Sequence, residues 1–203
     1  MKLQYFLMAA LAINLSVRTA AAQQSDEPLP ASVGIVLDTS GSMSFKLSQA
    51  RQIVAAVMNS ATPSDEFAVI QAADRPVALS GFVGASSVLP ALRFIQPKGR
   101  SALLDGIYLG TQLMKMAHNE RKVLLVISDG LDNASRYQET EVINALSETG
   151  VRVYTMGVNK PTEIPELLQR IADRGHGRTF GVDDVNRLPQ AALELTAAMR
   201  TQP

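Results

Sequence analysis

A carboxylate and two hydroxyl groups, spaced two residues apart, follow a short apolar run of the chain. The apolar run covers residues 33–37, and Asp38, Ser40 and Ser42 come directly after it. Gly41 lies between the serines and gives the backbone the freedom to curl these side chains together. Small, hard cations such as Mg²⁺ prefer oxygen ligands. The stretch therefore predicts one half of a cation site, with the other half supplied from elsewhere in the chain.

Apolar periodicity predicts six strands that alternate with helices. The most apolar runs, residues 33–37 and 123–127, are typical of strands buried on both faces of a sheet, so we expect them to be central. The predicted strands cover residues 33–38, 67–72, 77–83, 123–127, 151–156 and 178–182. The predicted helices begin near residues 42–44, 88, 101, 139, 164 and 185. Serines at 42–44 are favourable caps for the first helix, which would place its positive dipole end at the predicted site.

This alternation predicts an α/β fold: a Rossmann-like, doubly wound, mostly parallel six-stranded sheet with helices on both faces. The turn at residues 74–76 is too short for a crossover, so the third strand is expected to be an antiparallel edge strand. In such sheets, ligands bind outside the carboxyl ends of the strands. Asp38 and Asp129 follow the first and fourth strands, and we expect both at that edge.

Three motifs, each following a predicted element, make the chain resemble the von Willebrand factor type A domain family. The first is D-x-S-x-S, formed by Asp38, Ser40 and Ser42. The second is G-R-S-A-L-L-D-G, in which Ser101 stands where the family usually has Thr. The third is V-I-S-D-G-L-D-N, which contains Asp129. One such motif would be a weak indication, but three in the right order are specific.

The resemblance implies a metal-ion-dependent adhesion site that holds Mg²⁺ (or Mn²⁺). The implied ligands are Asp38, Ser40, Ser42, Ser101 and Asp129. Two carboxylates would neutralise the charge of the ion, and some of the five groups would act through water or by orienting the others. A coordination position left open would accept an Asp or Glu carboxylate from a protein partner. The expected function is therefore metal-dependent protein binding.

Several neighbours of these motifs have two interpretations. Ser101 could cap the third helix as well as bind metal, because serine is a good N-cap. Arg100, where the family often has Gly, could repel a metal or hold an acidic partner by a charge-assisted hydrogen bond. Asp132 and Asn133 are interpreted as shaping their loop, and Met43 as packing at the start of the first helix. Arg136 and Tyr137 would either line the rim of the site or pack on the surface.

Catalysis is not expected, although a metal-dependent hydrolase and a scaffold with a vestigial site are the alternatives. The two histidines, His118 and His176, are expected before strands and thus at the edge opposite the metal. Neither is placed to act as a general base there. The chain has no Cys, so the usual nucleophile–base pairs are missing.

The first 22 residues resemble a secretory signal, with Lys2, an apolar stretch and an A-x-A cleavage site. Residues 23–32 are interpreted as a flexible leader and residues 33–200 as the domain. The protein is therefore expected to be exported, either periplasmic or secreted, without stable membrane insertion after cleavage. A retained anchor is the alternative, but the apolar stretch is shorter than the roughly 20 residues needed to span a bilayer.

The charge balance argues against nucleic-acid binding. Lys plus Arg and Asp plus Glu both number 19, and removing Lys2 and Arg18 with the first 22 residues leaves 17 basic and 19 acidic residues. Such a chain has no basic field to attract a phosphate backbone. Aromatic residues make up only 5% of the sequence, so base-stacking surfaces are scarce.

Overall fold

The computed structural model describes residues 29–158, 164–182 and 185–201, and the predicted signal sequence and most of the leader lie outside them. A single six-stranded sheet with the order β3-β2-β1-β4-β5-β6 forms the centre of the described part. The strands are β1 (Ala31–Asp38), β2 (Glu66–Ala72), β3 (Val77–Ala78), β4 (Arg121–Ser128), β5 (Arg152–Gly157) and β6 (Thr179–Gly181). The predicted fold class is confirmed, because every pairing is parallel except that of the edge strand β3 with β2. The two central strands are β1 and β4, as predicted.

Helices cover both faces of the sheet. They are α1 (Leu47–Asn59), α2 (Ala85–Leu92), α3 (Leu103–Leu113), α4 (Glu139–Thr149), α5 (Glu166–Arg174) and α6 (Leu188–Thr201). One apolar core joins α1, α2 and α6 to one face, and a second joins α3, α4 and α5 to the other. All eight residues of β1 are buried, since it lies between both cores. Among the described residues, no helix is long and apolar enough to cross a membrane.

Close packing of α3 on the sheet fixes the position of the loop before it. A Cβ added at Gly106 would lie 2.8 Å from the Cβ of Ala72, and one at Gly110 would lie 2.9 Å from Leu124 Cδ1. At Gly106 a side chain would clash with the rigid Cβ of Ala72, so glycine is required there, and at Gly110 a side chain would displace Leu124. The start of α3 is thereby held beside the carboxyl ends of β1 and β2.

The prediction that α1 begins at residues 42–44 is wrong. Gly41–Met43 form a separate 3₁₀ turn, and α1 starts at Leu47 after Lys46 in the N-cap position. The serines bond within the turn instead of capping the helix, since Ser44 Oγ donates to Gly41 O at 2.6 Å. The first turn of α1 therefore lies beyond the loop and does not start at the predicted site. Met43 is buried, as expected for a packing residue.

The edge strand β3 is shorter than the predicted residues 77–83. Backbone bonding to β2 continues at Leu79, whose N–H donates to Val69 O at 2.8 Å, and an isolated bridge joins Val83 to Phe67. Between them the ladder is interrupted, because Val69 N–H donates to the side chain of Ser80 at 3.3 Å.

Candidate metal centre

Three loops meet at the carboxyl edge of the sheet and carry the predicted ligands. The first follows β1, the second precedes α3 and the third follows β4. The first two loops touch through their backbones, since Gly41 N–H donates to Gly99 O at 2.9 Å and Lys98 N–H donates to Thr39 O at 2.8 Å. Asn133 N–H of the third loop donates to Ser101 O at 2.9 Å. The sheet edge therefore gathers the loops that the three motifs occupy.

Asp38 lies at the centre of the cluster and is fully buried. Its Oδ1 accepts a hydrogen bond of 2.9 Å from Ser40 N–H. Its Oδ2 accepts bonds from Ser128 Oγ at 2.6 Å and Ser101 Oγ at 3.3 Å. The carboxylate thus has a fixed orientation, and its oxygens contact the second loop and the end of β4.

Two hydroxyl groups lead from the buried carboxylate to the surface. Ser40 Oγ and Ser42 Oγ are 3.1 Å apart. Ser40 is buried, whereas Ser42 is exposed. A cation bound beside them would therefore be open to solvent, and to a partner, on one side.

Asp129 forms an ion pair that its sequence motif does not indicate. Its side chain is 2% exposed, and Lys46 Nζ is 3.0 Å from its Oδ2. Its Oδ1 accepts a bond of 3.3 Å from Leu131 N–H. Lys46 lies four residues after Ser42 and just before α1, so only the fold brings it to the third loop.

The electrostatics of the cluster favour a cation. Burial raises the pKa of Asp38, the negative charge of Asp129 raises it further, and hydrogen bonds from Ser128 and Ser40 oppose the rise. Negative charge is therefore costly at this carboxyl group unless a nearby positive charge offsets it. A bound divalent cation would supply that charge.

The donor set fits a small, hard cation. Asp38 and Asp129 would neutralise a divalent ion, and the hydroxyls of Ser40, Ser42 and Ser101 would add neutral oxygen ligands. No group of three or more His, Cys, Asp or Glu side chains suited to a metal occurs in the described part of the chain. A site at this edge therefore depends on serine oxygens as well as on the two carboxylates.

The third loop positions Ser101. Ser101 N–H donates to Asn133 Oδ1, and Leu103 N–H donates to Asp132 Oδ1, both at 3.0 Å. This agrees with the loop-shaping interpretation of Asp132 and Asn133. Ser101 is not the N-cap of α3, because Ala102 holds that position and makes no side-chain cap. The Ser101 hydroxyl is directed to Asp38 instead.

Arg100 is exposed and bound to the third loop. Its guanidinium donates to the backbone oxygen of Asn133, and its N–H donates to Asp74 Oδ1 at 2.7 Å. These bonds link Arg100 to the rim of the site.

A second buried carboxylate, Asp105, organises the distal part of the third loop. Asp105 is 8% exposed, and its Oδ1 accepts bonds from the backbone N–H groups of Arg136 and Tyr137 at 2.8 and 2.9 Å. The Tyr137 ring stacks on Tyr108 with centroids 3.9 Å apart. Of the two interpretations of Arg136 and Tyr137, these contacts favour packing over a position on the metal rim.

The fold and the cluster define a Rossmann-like α/β domain with a carboxylate–hydroxyl site at the carboxyl edge of its sheet. A sequence model of the von Willebrand factor type A domain matches residues 32–194. The chain therefore belongs to the von Willebrand factor type A domain family. No curated protein sequence matches it.

Solved structures with the same fold come from bacteria and from a mussel. An aerotolerance-related membrane protein from Bacteroides fragilis is 19% identical with a TM-score of 0.72, covering 85% of this chain and 100% of that one. A von Willebrand factor type A protein from Catenulispora acidiphila is 17% identical with a TM-score of 0.73, covering 86% and 44%. Proximal thread matrix protein 1 from mussel byssus, with a zinc-occupied MIDAS motif, is 19% identical with a TM-score of 0.66, covering 83% and 45%. This chain thus spans less than half of the latter two proteins.

Proposed function

We propose that this protein is an exported module that binds a protein partner through a divalent cation. The cation is held by Asp38, Ser40, Ser42, Ser101 and Asp129, and the partner supplies an Asp or Glu carboxylate. The observation that carries the proposal is the meeting of three motif-bearing loops around the buried Asp38 carboxylate.

Metal binding is supported by the donor chemistry and by the family. Negative charge on Asp38 is disfavoured by burial and by Asp129, so a cation stabilises the cluster. The mussel protein of the same fold has zinc in its MIDAS motif. For this chain we favour Mg²⁺ or Mn²⁺, because carboxylate and hydroxyl oxygens are hard ligands without nitrogen or sulfur.

A protein partner is supported by apolar side chains beside the cluster. Phe45 is 96% exposed and precedes Lys46, which contacts Asp129. Leu131 is 53% exposed, and its N–H donates to the same carboxylate. Aromatic side chains are enriched at protein interfaces, so an exposed Phe beside the cluster supports a protein partner.

Binding is favoured over hydrolysis by the placement of both histidines. His118 Nδ1 is 2.7 Å from Glu66 Oε2, at the start of β2. His176 is exposed and follows α5, and its neighbour Gly175 accepts a bond from Val153 N–H near the start of β5. Both lie at the amino edge of the sheet, away from the cluster, and a general base must reach the proton that it removes.

Export is proposed from the composition of residues 1–22, with residues 23–32 as a leader and residues 33–200 as the domain. A similar fold in an aerotolerance-related membrane protein is compatible with this assignment. Cleavage of the signal would leave the domain in the periplasm or outside the cell.

The direct test is thermal melting of the purified domain in EDTA and in Mg²⁺ or Mn²⁺. We expect either ion to raise the melting temperature of the wild type, and we expect Asp38→Ala to abolish the rise. Asp173→Ala is the control, since Asp173 is exposed at the end of α5 and should leave the rise intact. A wild-type melting temperature indifferent to both metals would overturn the metal site.

The partner is sought by capture on the immobilised wild-type domain in Mg²⁺ and in EDTA, with Asp38→Ala as the reference. Proteins retained only by the wild type in Mg²⁺ would support the proposed binding mode. Retention that persists in EDTA would instead indicate a scaffold with its interaction surface elsewhere.

A further inference from the structure

The ion pair between Lys46 and Asp129 joins two loops of the candidate metal centre. Lys46 Nζ is 3.0 Å from Asp129 Oδ2, and the residues are 83 positions apart in the sequence. The Lys46 side chain is 32% exposed, whereas that of Asp129 is 2% exposed. The pair therefore places a protein-borne positive charge on a buried carboxylate that the family motif assigns to the metal.

The backbone holds Lys46 in place for this contact. Lys46 N–H donates to Met43 O at 2.9 Å, and Lys46 O accepts from Ala50 N–H at 3.0 Å. Met43 is fully buried, so the turn that carries Lys46 is attached to the core. The position of the ammonium is therefore restricted by the turn before α1 and by the first turn of the helix.

We propose that Lys46 is a built-in cation that competes with the divalent metal for Asp129. The proposal rests on the metal site of the proposed function. A divalent ion and an ammonium group repel each other strongly when they share one carboxylate oxygen in a partly buried site. Lys46 must therefore give up its contact with Asp129 Oδ2 before that oxygen can bind a metal.

Competition of this kind has two consequences. Lys46 lowers the apparent affinity of the wild-type site for divalent ions. It also neutralises Asp129 when no metal is bound, so the first and third loops stay together despite two neighbouring buried carboxylates. The domain would then bind a divalent ion only at higher metal concentrations, and it would stay folded at lower metal concentrations.

The test measures the dissociation constant for Mn²⁺ by calorimetry in the wild type and in Lys46→Met, which keeps the apolar stem and removes the charge. We expect at least about tenfold tighter Mn²⁺ binding in the variant. At an intermediate dielectric, a charge–charge contact of this length changes a binding constant by more than about a factor of ten. Lys46→Gln, which retains a hydrogen-bond donor, is expected to bind more tightly as well and serves if the Met variant fails to fold.

Lys98→Met is the matched control. Lys98 is exposed in the second loop, and its backbone N–H donates to Thr39 O. Replacing its side chain removes one positive charge, as Lys46→Met does, but leaves the contacts of Asp129 unchanged. We expect less than about a twofold change there, because exposed charges are screened by salt. Mn²⁺ affinity that is unchanged or weaker in folded Lys46→Met or Lys46→Gln would overturn the proposal. A Lys98→Met variant that binds Mn²⁺ as much more tightly as Lys46→Met does would also overturn it. Failure of every variant and of the wild type to bind Mn²⁺ would instead contradict the proposed function.

Discussion

At the scale of single residues, Ser128 has a larger part in the cluster than its sequence suggests. Its Oγ donates to Asp38 Oδ2 at 2.6 Å and accepts from Gly130 N–H at 2.9 Å. One fully buried hydroxyl therefore orients a central carboxylate and closes the turn after Asp129. Its bond also opposes the rise in the pKa of Asp38 that burial causes.

We expect Ser128→Ala to reduce the free energy of unfolding in EDTA by about 1–3 kcal/mol, because the buried Asp38 carboxylate and the partly buried Gly130 N–H would each lose a partner. Urea denaturation monitored by circular dichroism measures this change. Ser147→Ala is the control: its Oγ also donates a hydrogen bond, to Ile143 O, but on an exposed face of α4. We expect a change within about 0.5 kcal/mol there. Equal effects of the two substitutions would contradict the role assigned to Ser128.

The predicted ligand residues were found together, but several of their supports were not predicted. The spacing alone groups Asp38, Ser40 and Ser42. Side chains two residues apart in one turn can take few positions relative to one another. Lys46 and Ser128 gave no comparable indication, because a lysine before a helix and a serine before a turn are common. Their roles depend on contacts between loops that are distant in sequence, which only the three-dimensional fold specifies.

At the scale of secondary structure elements, Asp65 links the first strand to the last helix. Its Oδ1 accepts from Ala31 N–H at 2.8 Å, and its Oδ2 accepts from Thr62 N–H and from Arg200 Nη2, both at 2.6 Å. Burial acts to raise the pKa of Asp65, but the bonds from Arg200, Thr62 and Ala31 outweigh it and lower the pKa below its ordinary value. The charged form is therefore part of the folded structure.

This link predicts a stability loss in acid. Because the pKa of Asp65 is lower in the folded state, its contribution is present above about pH 4, near the unfolded pKa, and is lost as the pH falls through the folded pKa. Asp65→Asn should be less stable than the wild type by about 1–3 kcal/mol at pH 7. The difference should narrow below about pH 4 and vanish once the wild-type carboxyl is protonated.

The measurement is urea denaturation of both proteins between pH 2 and 7, a range chosen to bracket the pKa values of carboxyl groups. Asp173→Asn, at an exposed position, should differ little from the wild type at every pH. A constant difference between Asp65→Asn and the wild type across the range would rule out titration of Asp65 as the cause.

The two central strands, the antiparallel edge strand and the helices on both faces could be predicted, whereas element ends could not. The apolar runs that became β1 and β4 are unambiguous, because buried central strands have few polar residues. The start of α1 was misplaced, because serines that cap helices also form turns and bond to one another. The same ambiguity affected β3, where the Ser80 side chain takes the place of a backbone acceptor.

At the scale of the whole molecule, the cluster and the entry of the chain lie at opposite edges of the sheet. β1 begins at Ala31 and ends at Asp38, and eight residues of strand extend over roughly 26 Å. The end of α6 lies at the entry edge, since Arg200 contacts Asp65 and its carbonyl accepts from Arg121 Nη1 at 2.8 Å. The described chain therefore enters the domain at the edge opposite the cluster.

The chain has no Cys, so a single engineered cysteine allows attachment at one chosen point. Leu29 and Leu131 are both exposed leucines, at the entry edge and beside the cluster respectively. We expect Leu29→Cys, coupled through a maleimide to a solid support, to retain the partner that the wild type captures in Mg²⁺. We expect Leu131→Cys, coupled in the same way, to lose most of that capture, because the support blocks approach to Asp129.

Both coupled proteins should still bind Mn²⁺, which is small enough to reach the cluster in either orientation. Equal capture by the two supports would mean that the partner binds away from the carboxyl edge.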